Sequence, residues 1–292
     1  MKKILITGVS GFVGYRFYEL LSEKNDFELY GFFNKTKVNL KNTFSIDIKK
    51  RSEVIKFLKE ISPDIIVHTA ALTSTTYCEK NPEEAWLTNT LATKYFTEYA
   101  KNNSSYLLFI STDLVFDGEK GWYVEEDKTN PINVYGETKK EAEDLIFQIS
   151  PRFSILRSSL IYGKSWCENR GADEKIINYL VEGKKIKLFM DEFRTFLFIE
   201  DLVKIMAYFC EKEIEGLFHV GGPEKMSRYE FGKRVAEKFN LDLSLIEPAS
   251  IKGYNSKPKR VPDGSLSTKK LKSVIPFSFT KLDDALSTYE RN

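Results

Sequence analysis

Three glycines spaced by three, in Thr7-Gly8-Val9-Ser10-Gly11-Phe12-Val13-Gly14, leave this chain few ways to begin folding. Lys3 to Thr7 before them is a short, continuous apolar run, the pattern of a strand buried on both faces of a parallel sheet. Phe12 to Lys24 after them reads as a helix. Glycines there permit a tight turn and close backbone approach, so a pyrophosphate can rest on the helix N-terminus. The spacing is G-x-x-G-x-x-G rather than G-x-G-x-x-G, but strand before and helix after favour a dinucleotide over a merely flexible turn. Gly8, Gly11, Phe12, Val13 and Gly14 are therefore cofactor-binding candidates.

Strands and helices alternate from there on. Strands are predicted at Phe27 to Phe33, Phe44 to Ile48, Asp64 to Thr69, Tyr106 to Ile110 and Phe153 to Leu156. Helices are predicted at Ser52 to Ile61, Pro82 to Lys101 and from Tyr135 onward. The fold class expected is α/β, a Rossmann-type doubly wound parallel sheet with a smaller, discontinuous substrate-binding domain. Residues 1–160 would form the dinucleotide-binding domain, with returning segments near 191–221; residues 161–190 and 222–292 would form mainly the substrate-binding part. In that second part, Lys164 to Gly171 reads as a loop and Asp173 to Glu182 as a helix. Glu200 to Cys210 and Ser227 to Phe239 also read as helices, the latter opened by a Ser227/Glu230 capping box. Leu217 to Gly222 reads as a returning strand.

The second strand ends Phe32-Phe33-Asn34-Lys35 without the acid that binds a ribose 2′-hydroxyl in NAD-specific folds. Asn34 and Lys35 suit a 2′-phosphate, so NADPH is the cofactor expected, with NADH as the alternative. Asp47, with Ile48, stands where an adenine amino group could be met, and small residues Ala70 and Ala71 where backbone passes close to a cofactor.

Composition narrows the rest. A net charge of +2 over 292 residues steers the chain toward neither nucleic acid nor an anionic membrane. No apolar run reaches the roughly 18–20 residues of a membrane span. Three scattered cysteines without a C-x-x-C point to reduced thiols in the cytoplasm, and two isolated histidines give no metal site.

Tyr135 and Lys139 are four apart, one turn on one helix face, and an ammonium beside a phenol favours its ionisation. Tyr208 with Lys212 and Tyr229 with Lys233 repeat the spacing, so spacing alone does not choose. Position does. Ser111, Thr112 and Asp113 close the fifth strand and face the same crevice as the glycine loop, and the Tyr135 helix follows directly behind Pro131.

With Thr7–Gly14, Thr112, Tyr135 and Lys139 in this order, the chain resembles the extended short-chain dehydrogenases, and among them the dTDP-4-dehydrorhamnose reductase group of dTDP-rhamnose biosynthesis. The stretches Ser111-Thr-Asp-Leu-Val-Phe-Asp-Gly118 and Pro131-Ile-Asn-Val-Tyr-Gly-Glu-Thr-Lys139 carry most of the resemblance. It implies an oxidoreductase in which Tyr135 gives a proton to a carbonyl oxygen as NAD(P)H delivers hydride to the carbon. Lys139 would lower the tyrosine pKa and hold the nicotinamide ribose, Thr112 would bind the carbonyl, and Ser111 and Asp113 would lie against the substrate. Asn89 matches a helix asparagine of the family, taken as structural. The substrate implied is a 4-keto nucleotide sugar, with Arg194 and Arg260 on its diphosphate; the partner implied is a second copy of the chain, a homodimer through the helices near 82–101 and 135–148.

Departures leave the sugar open. Leu160 replaces a tryptophan, Thr76 replaces an aspartate, and the segment around Arg194 is closer to broader sugar-nucleotide enzymes. Leu114 stands where 4,6-dehydratases carry a glutamate, which argues against dehydration. A nucleotide-sugar 4-epimerase with bound NAD and a non-catalytic NADP-binding regulatory subunit are the alternatives.

Overall fold

The structure is a computed structural model that describes residues 1–24, 26–167, 170–254 and 257–289. Two residues of the loop expected at 164–171 (Glu168, Asn169) lie outside the described residues, as do Asn255 and Ser256.

In chain order the first half runs β1 (Lys2–Thr7), α1 (Phe12–Lys24), β2 (Phe27–Phe33), β3 (Thr43–Ser45), α2 (Arg51–Ile61) and β4 (Ile65–His68). Then come α3 (Thr75–Lys80), α4 (Pro82–Trp86), a π-turn at Leu87–Leu91, α5 (Ala92–Asn103), β5 (Tyr106–Thr112), α6 (Val134–Ile149) and β6 (Phe153–Ser158). The second half holds β7 (Ile161–Tyr162), α7 (Ala172–Val181), β8 (Ile186–Phe189), β9 (Phe193–Arg194), β10 (Leu197–Phe198), α8 (Ile199–Lys212) and β11 (Gly216–Val220). It ends with β12 (Met226–Ser227), α9 (Arg228–Lys238), β13 (Ile246–Ala249), α10 (Lys269–Lys272) and α11 (Leu282–Ser287).

Seven strands form one parallel sheet in the order β11-β6-β5-β4-β1-β2-β3. The continuous apolar runs now have their reason. Ile4, Ile6, Ile65, Val67 and Leu108 pack on one face with α1 and α8, while Leu5, Ile66, Leu107 and Phe109 pack on the other with α2, α5 and α6. Each such side chain contributes roughly 1.5–3 kcal/mol by leaving water, so neither face tolerates the polar alternation of a half-exposed strand. The strand order changes direction between β1 and β4, and the crevice beyond their C-terminal ends is where a ligand is held in open α/β sheets.

Three details differ from the sequence reading. The third strand spans only Thr43–Ser45, so Asp47 and Ile48 lie in the turn behind it. The helix predicted from Pro82 is preceded by α3, capped by Ser74, whose hydroxyl accepts from the Tyr77 amide. It is also interrupted by the π-turn, which turns Asn89 inward. Beyond the sheet, β8 pairs with β13 and β9 with β12, and α7 and α9 pack against one another. These strands of two to four residues carry Glu192, Arg194 and Arg228 to the crevice. No helix among the described residues is long and apolar enough to cross a membrane.

Candidate active site

The crevice is a cleft of about 850 Å³. At its base Gly8 adopts a left-handed backbone (φ +72°), and its amide donates to the Phe32 carbonyl at 2.8 Å. A Cβ on Gly8 would lie 2.8 Å from Ala70 Cα, and one on Gly14 only 2.4 Å from the Gly8 carbonyl oxygen. Side chains at either position would push strand, loop and helix apart. α1 starts at Phe12 with no acid in its first turn, so its positive end is left for an anion. Gly8, Gly11, Phe12, Val13, Gly14, Ala70 and Ala71 all line the cleft.

A buried chain of hydrogen bonds locks this corner. The Ala70 amide donates to Thr7 Oγ1, which meets His68 Nδ1 at 2.7 Å; His68 Nε2 meets Thr93 Oγ1 at 3.0 Å, and Thr93 donates to the Asn89 carbonyl. Thr93 spends its proton on Asn89, so His68 must carry its own on Nε2 and accept from Thr7 on Nδ1. Burial, with Lys139 nearby, pushes His68 down to about 3 and keeps it neutral. Asn89 holds both the amide and the carbonyl of Leu72 and donates to Thr138 Oγ1, tying the cofactor side of the cleft to α6.

Toward the end of β2, Asn34 lines the cleft, whereas Lys35 is exposed and outside the lining. Lys49 lines it instead, brought alongside by the β2–β3 pairing and bonded to Glu84 at 2.9 Å. Sequence reading missed Lys49 because fifteen residues separate it from Asn34 and only strand pairing unites them. Asp47 and Ile48 line the cleft as expected, with Asp47 Oδ1 already accepting from the Lys49 amide.

Thr112, Tyr135 and Lys139 converge on the cleft beside the glycine loop. Asn133 caps α6 by accepting from the Gly136 amide. A Cβ on Gly136 would lie 2.1 Å from the Leu114 carbonyl oxygen, so the glycine is what lets the helix start sit on the turn after Thr112. Thr112 Oγ1 accepts from the Leu114 amide at 3.2 Å and donates to Asp113 Oδ1 at 3.1 Å. Burial first, then the charges of Asp113 and Cys78, push the Tyr135 phenol above its ordinary range; the neighbouring Thr112 hydroxyl opposes them. Within the protein alone, therefore, Lys139 does not depress the tyrosine as expected. The phenol keeps its proton. Lys139 lies buried with Nζ 3.8 Å from the centre of the Phe109 ring, and burial brings it down to about 7, with Glu143 pulling the other way.

Ser111 and Asp113 line the cleft but have protein partners. Ser111 Oγ donates to Glu143, which forms a buried ion pair with Arg157 at 2.7 Å. Arg157 Nη1 lies 3.3 Å from His219 Nε2, and His219 Nδ1 lies 2.9 Å from the Tyr123 carbonyl. Ser111 is thus a strut of the strand end. Arg194 Nε sits 2.9 Å from Asp113 Oδ2, a charge contact outside hydrogen-bond alignment, and Arg194 Nη1 donates to the Phe193 and Val261 carbonyls. Arg260 donates to Glu192 at 2.9 Å. Arg228, which sequence reading did not select, lines the cleft beside them. No signal in the chain singles it out, because β9–β12 pairing alone brings residue 228 to Arg194. Leu160, Thr76 and Leu114 line the cleft too, and none of them carries a carboxylate.

The chain matches the RmlD substrate binding domain family over residues 1–291. A hypothetical dTDP-4-dehydrorhamnose reductase from Sulfolobus tokodaii superposes with a TM-score of 0.86 at 30% identity, covering 98% of each chain. The dTDP-4-dehydrorhamnose reductase of Aggregatibacter actinomycetemcomitans is 28% identical over 94% of this chain and 94% of its own. Methionine adenosyltransferase 2 subunit beta of Bos taurus is 28% identical over 85% of this chain and 75% of its own. Glycine loop, Thr112–Tyr135–Lys139 and the seven-stranded parallel sheet thus occur together in a chain that belongs to the RmlD substrate binding domain family.

Proposed function

We propose that this protein is an NAD(P)H-dependent reductase of a 4-keto nucleotide sugar, similar in activity to dTDP-4-dehydrorhamnose reductases. The observation that carries the reading is the meeting of Thr112, Tyr135 and Lys139 with the glycine loop in one cleft. Gly8 to Gly14, Ala70 and Asn34 would hold the dinucleotide, NADPH in preference to NADH, with Lys49 rather than Lys35 as the cation at its far end. When bound, the cofactor supplies hydride. Tyr135, protonated through burial, gives its proton to the sugar carbonyl oxygen. Thr112 exchanges its bond to Asp113 for one to that oxygen, and the Lys139 ammonium stabilises the phenolate that the departing proton leaves behind. A homodimer belongs to the same reading.

The test is reduction of dTDP-, UDP- and GDP-4-keto sugars with NADPH and NADH, followed by absorbance. Tyr135→Phe should lower kcat by about 100-fold or more while the cofactor still binds. A variant that keeps most of the activity rejects the mechanism. The similarity to a methionine adenosyltransferase subunit supports a second reading, a regulatory subunit. It prevails if no keto sugar is reduced and a partner enzyme copurifies in fixed ratio. A 4-epimerase would release NAD⁺ when the purified protein is denatured.

A further inference from the structure

Three guanidinium groups, of Arg194, Arg228 and Arg260, gather on one wall of the cleft, and only two carboxylates, Asp113 and Glu192, are set among them. Arg194 is used up by Asp113, by two backbone carbonyls and by Glu192 at 3.7 Å. Arg260 is held by Glu192 and lies over the Phe189 ring at 4.3 Å. Arg228 is half-buried, and among the described residues its side chain makes no hydrogen bond or ion pair. Burial, together with Arg194 and Arg260, works against its charge, and Glu192 supports it. A guanidinium does not respond by losing its proton, so the unbalanced positive charge stays in the cleft.

Lys257 and Lys259, which line the cleft as Lys49 and Lys139 do, add charge of the same sign and no compensation. A half-buried arginine fork without a protein partner is a ready site for an oxyanion, which it can grip with two parallel hydrogen bonds. We propose that Arg228 is the residue that binds a phosphoryl oxygen of the nucleotide sugar, while Arg194 and Arg260 act as framework that holds Asp113 and Glu192. This assignment rests on the nucleotide-sugar reading above and adds a specificity-determining residue to it.

The experiment is calorimetric binding of dTDP, UDP, UDP-glucose and UDP-glucuronate to the full chain saturated with NADPH, for wild type, Arg228→Gln and Arg228→Lys. Arg228→Gln should weaken nucleoside diphosphate binding by about 30-fold or more, and Arg228→Lys should restore part of it, a point charge without the fork. Binding by Arg228→Gln should also depend less on salt, a change that a purely structural role would not produce. Its melting temperature should stay level or rise, because an uncompensated charge has been removed. Wild type binding both diphosphates with Arg228→Gln within threefold of it overturns the assignment and leaves the reductase reading standing. Wild type binding neither diphosphate overturns the nucleotide-sugar reading, and this assignment with it. A loss seen with UDP-glucuronate but absent with UDP and UDP-glucose moves the contact to a sugar carboxylate and overturns the phosphoryl assignment.

Discussion

Lys139 shows what a single residue costs the fold in return for its chemistry. Its ammonium is buried against Phe109, and burial brings its pKa from 10.5 to about 7. A tenfold change in an acid's ionisation constant corresponds to about 1.4 kcal/mol, so the charged form destabilises the folded chain by several kcal/mol. The sign follows from proton counting. Between pH 7 and 10.5 the unfolded chain binds more protons at this residue than the folded chain does, so its contribution to stability improves as pH rises through that window. Below pH 7 the cost is complete. Lys139→Met should therefore raise the melting temperature at pH 6–7, with the gain shrinking toward pH 10, while reductase activity is lost. Thermal unfolding at pH 6, 8 and 10 checks this, and a methionine variant no more stable than wild type at pH 6 rejects it. The pairing of Tyr135 with Lys139 was legible in the sequence because it lies within one helical turn. What is raised and what is lowered was not legible, because it depends on Phe109, Asp113 and Cys78 closing around the pair.

At the scale of elements, the decisive contact is the start of α6 against the turn after β5. Gly136 sets it, since a Cβ there would fall 2.1 Å from the Leu114 carbonyl. An ordinary helical glycine gains roughly 1 kcal/mol on becoming alanine. Overpacking against backbone costs typically 1–3 kcal/mol, which outweighs that gain. Gly136→Ala should therefore lower the melting temperature rather than raise it. It should also cut kcat by about 10- to 100-fold at little change in cofactor affinity, because Tyr135 moves away from Thr112 while the glycine loop stays put. A stabilised, fully active Gly136→Ala variant would show that the helix start is not what places the phenol. The elements carrying the site were readable because buried parallel strands and glycine turns leave strong local patterns. β8, β9, β12 and β13 were not, since strands of two to four residues have no periodicity to detect. Arg228 and Lys49 were lost for the same reason, each being brought to the cleft by a strand pairing.

Across the whole molecule, two buried neutral histidines brace opposite flanks of the cleft. His68 links Thr7 to Thr93, and His219 links the Arg157–Glu143 pair to the Tyr123 carbonyl. Since a carbonyl can only accept, His219 carries its proton on Nδ1 and accepts from Arg157 on Nε2. Burial pushes both rings down to about 3, with Lys139 adding to the effect at His68 and Arg157 at His219. Unfolded histidine titrates near 6.5, so between about pH 3 and 6.5 the unfolded chain binds fewer protons than a fully charged ring would but more than the folded chain does at both positions. Stability from these two sites is present above pH 6.5 and lost as pH falls, by up to about 1.4 kcal/mol per pH unit for each. Asp113, Asp173 and Asp201, all raised mainly by burial, act with the opposite sign and offset part of the loss. The chain contains only two histidines, so their ring proton resonances are easily assigned. Neither should titrate between pH 5 and 8 in the folded protein, and resistance to urea unfolding should fall steadily from pH 6.5 to pH 4.5. A ring that titrates near 6.5 in the native state would mean that its flank of the cleft is open to water, and the tautomer deduced for that histidine would then be wrong.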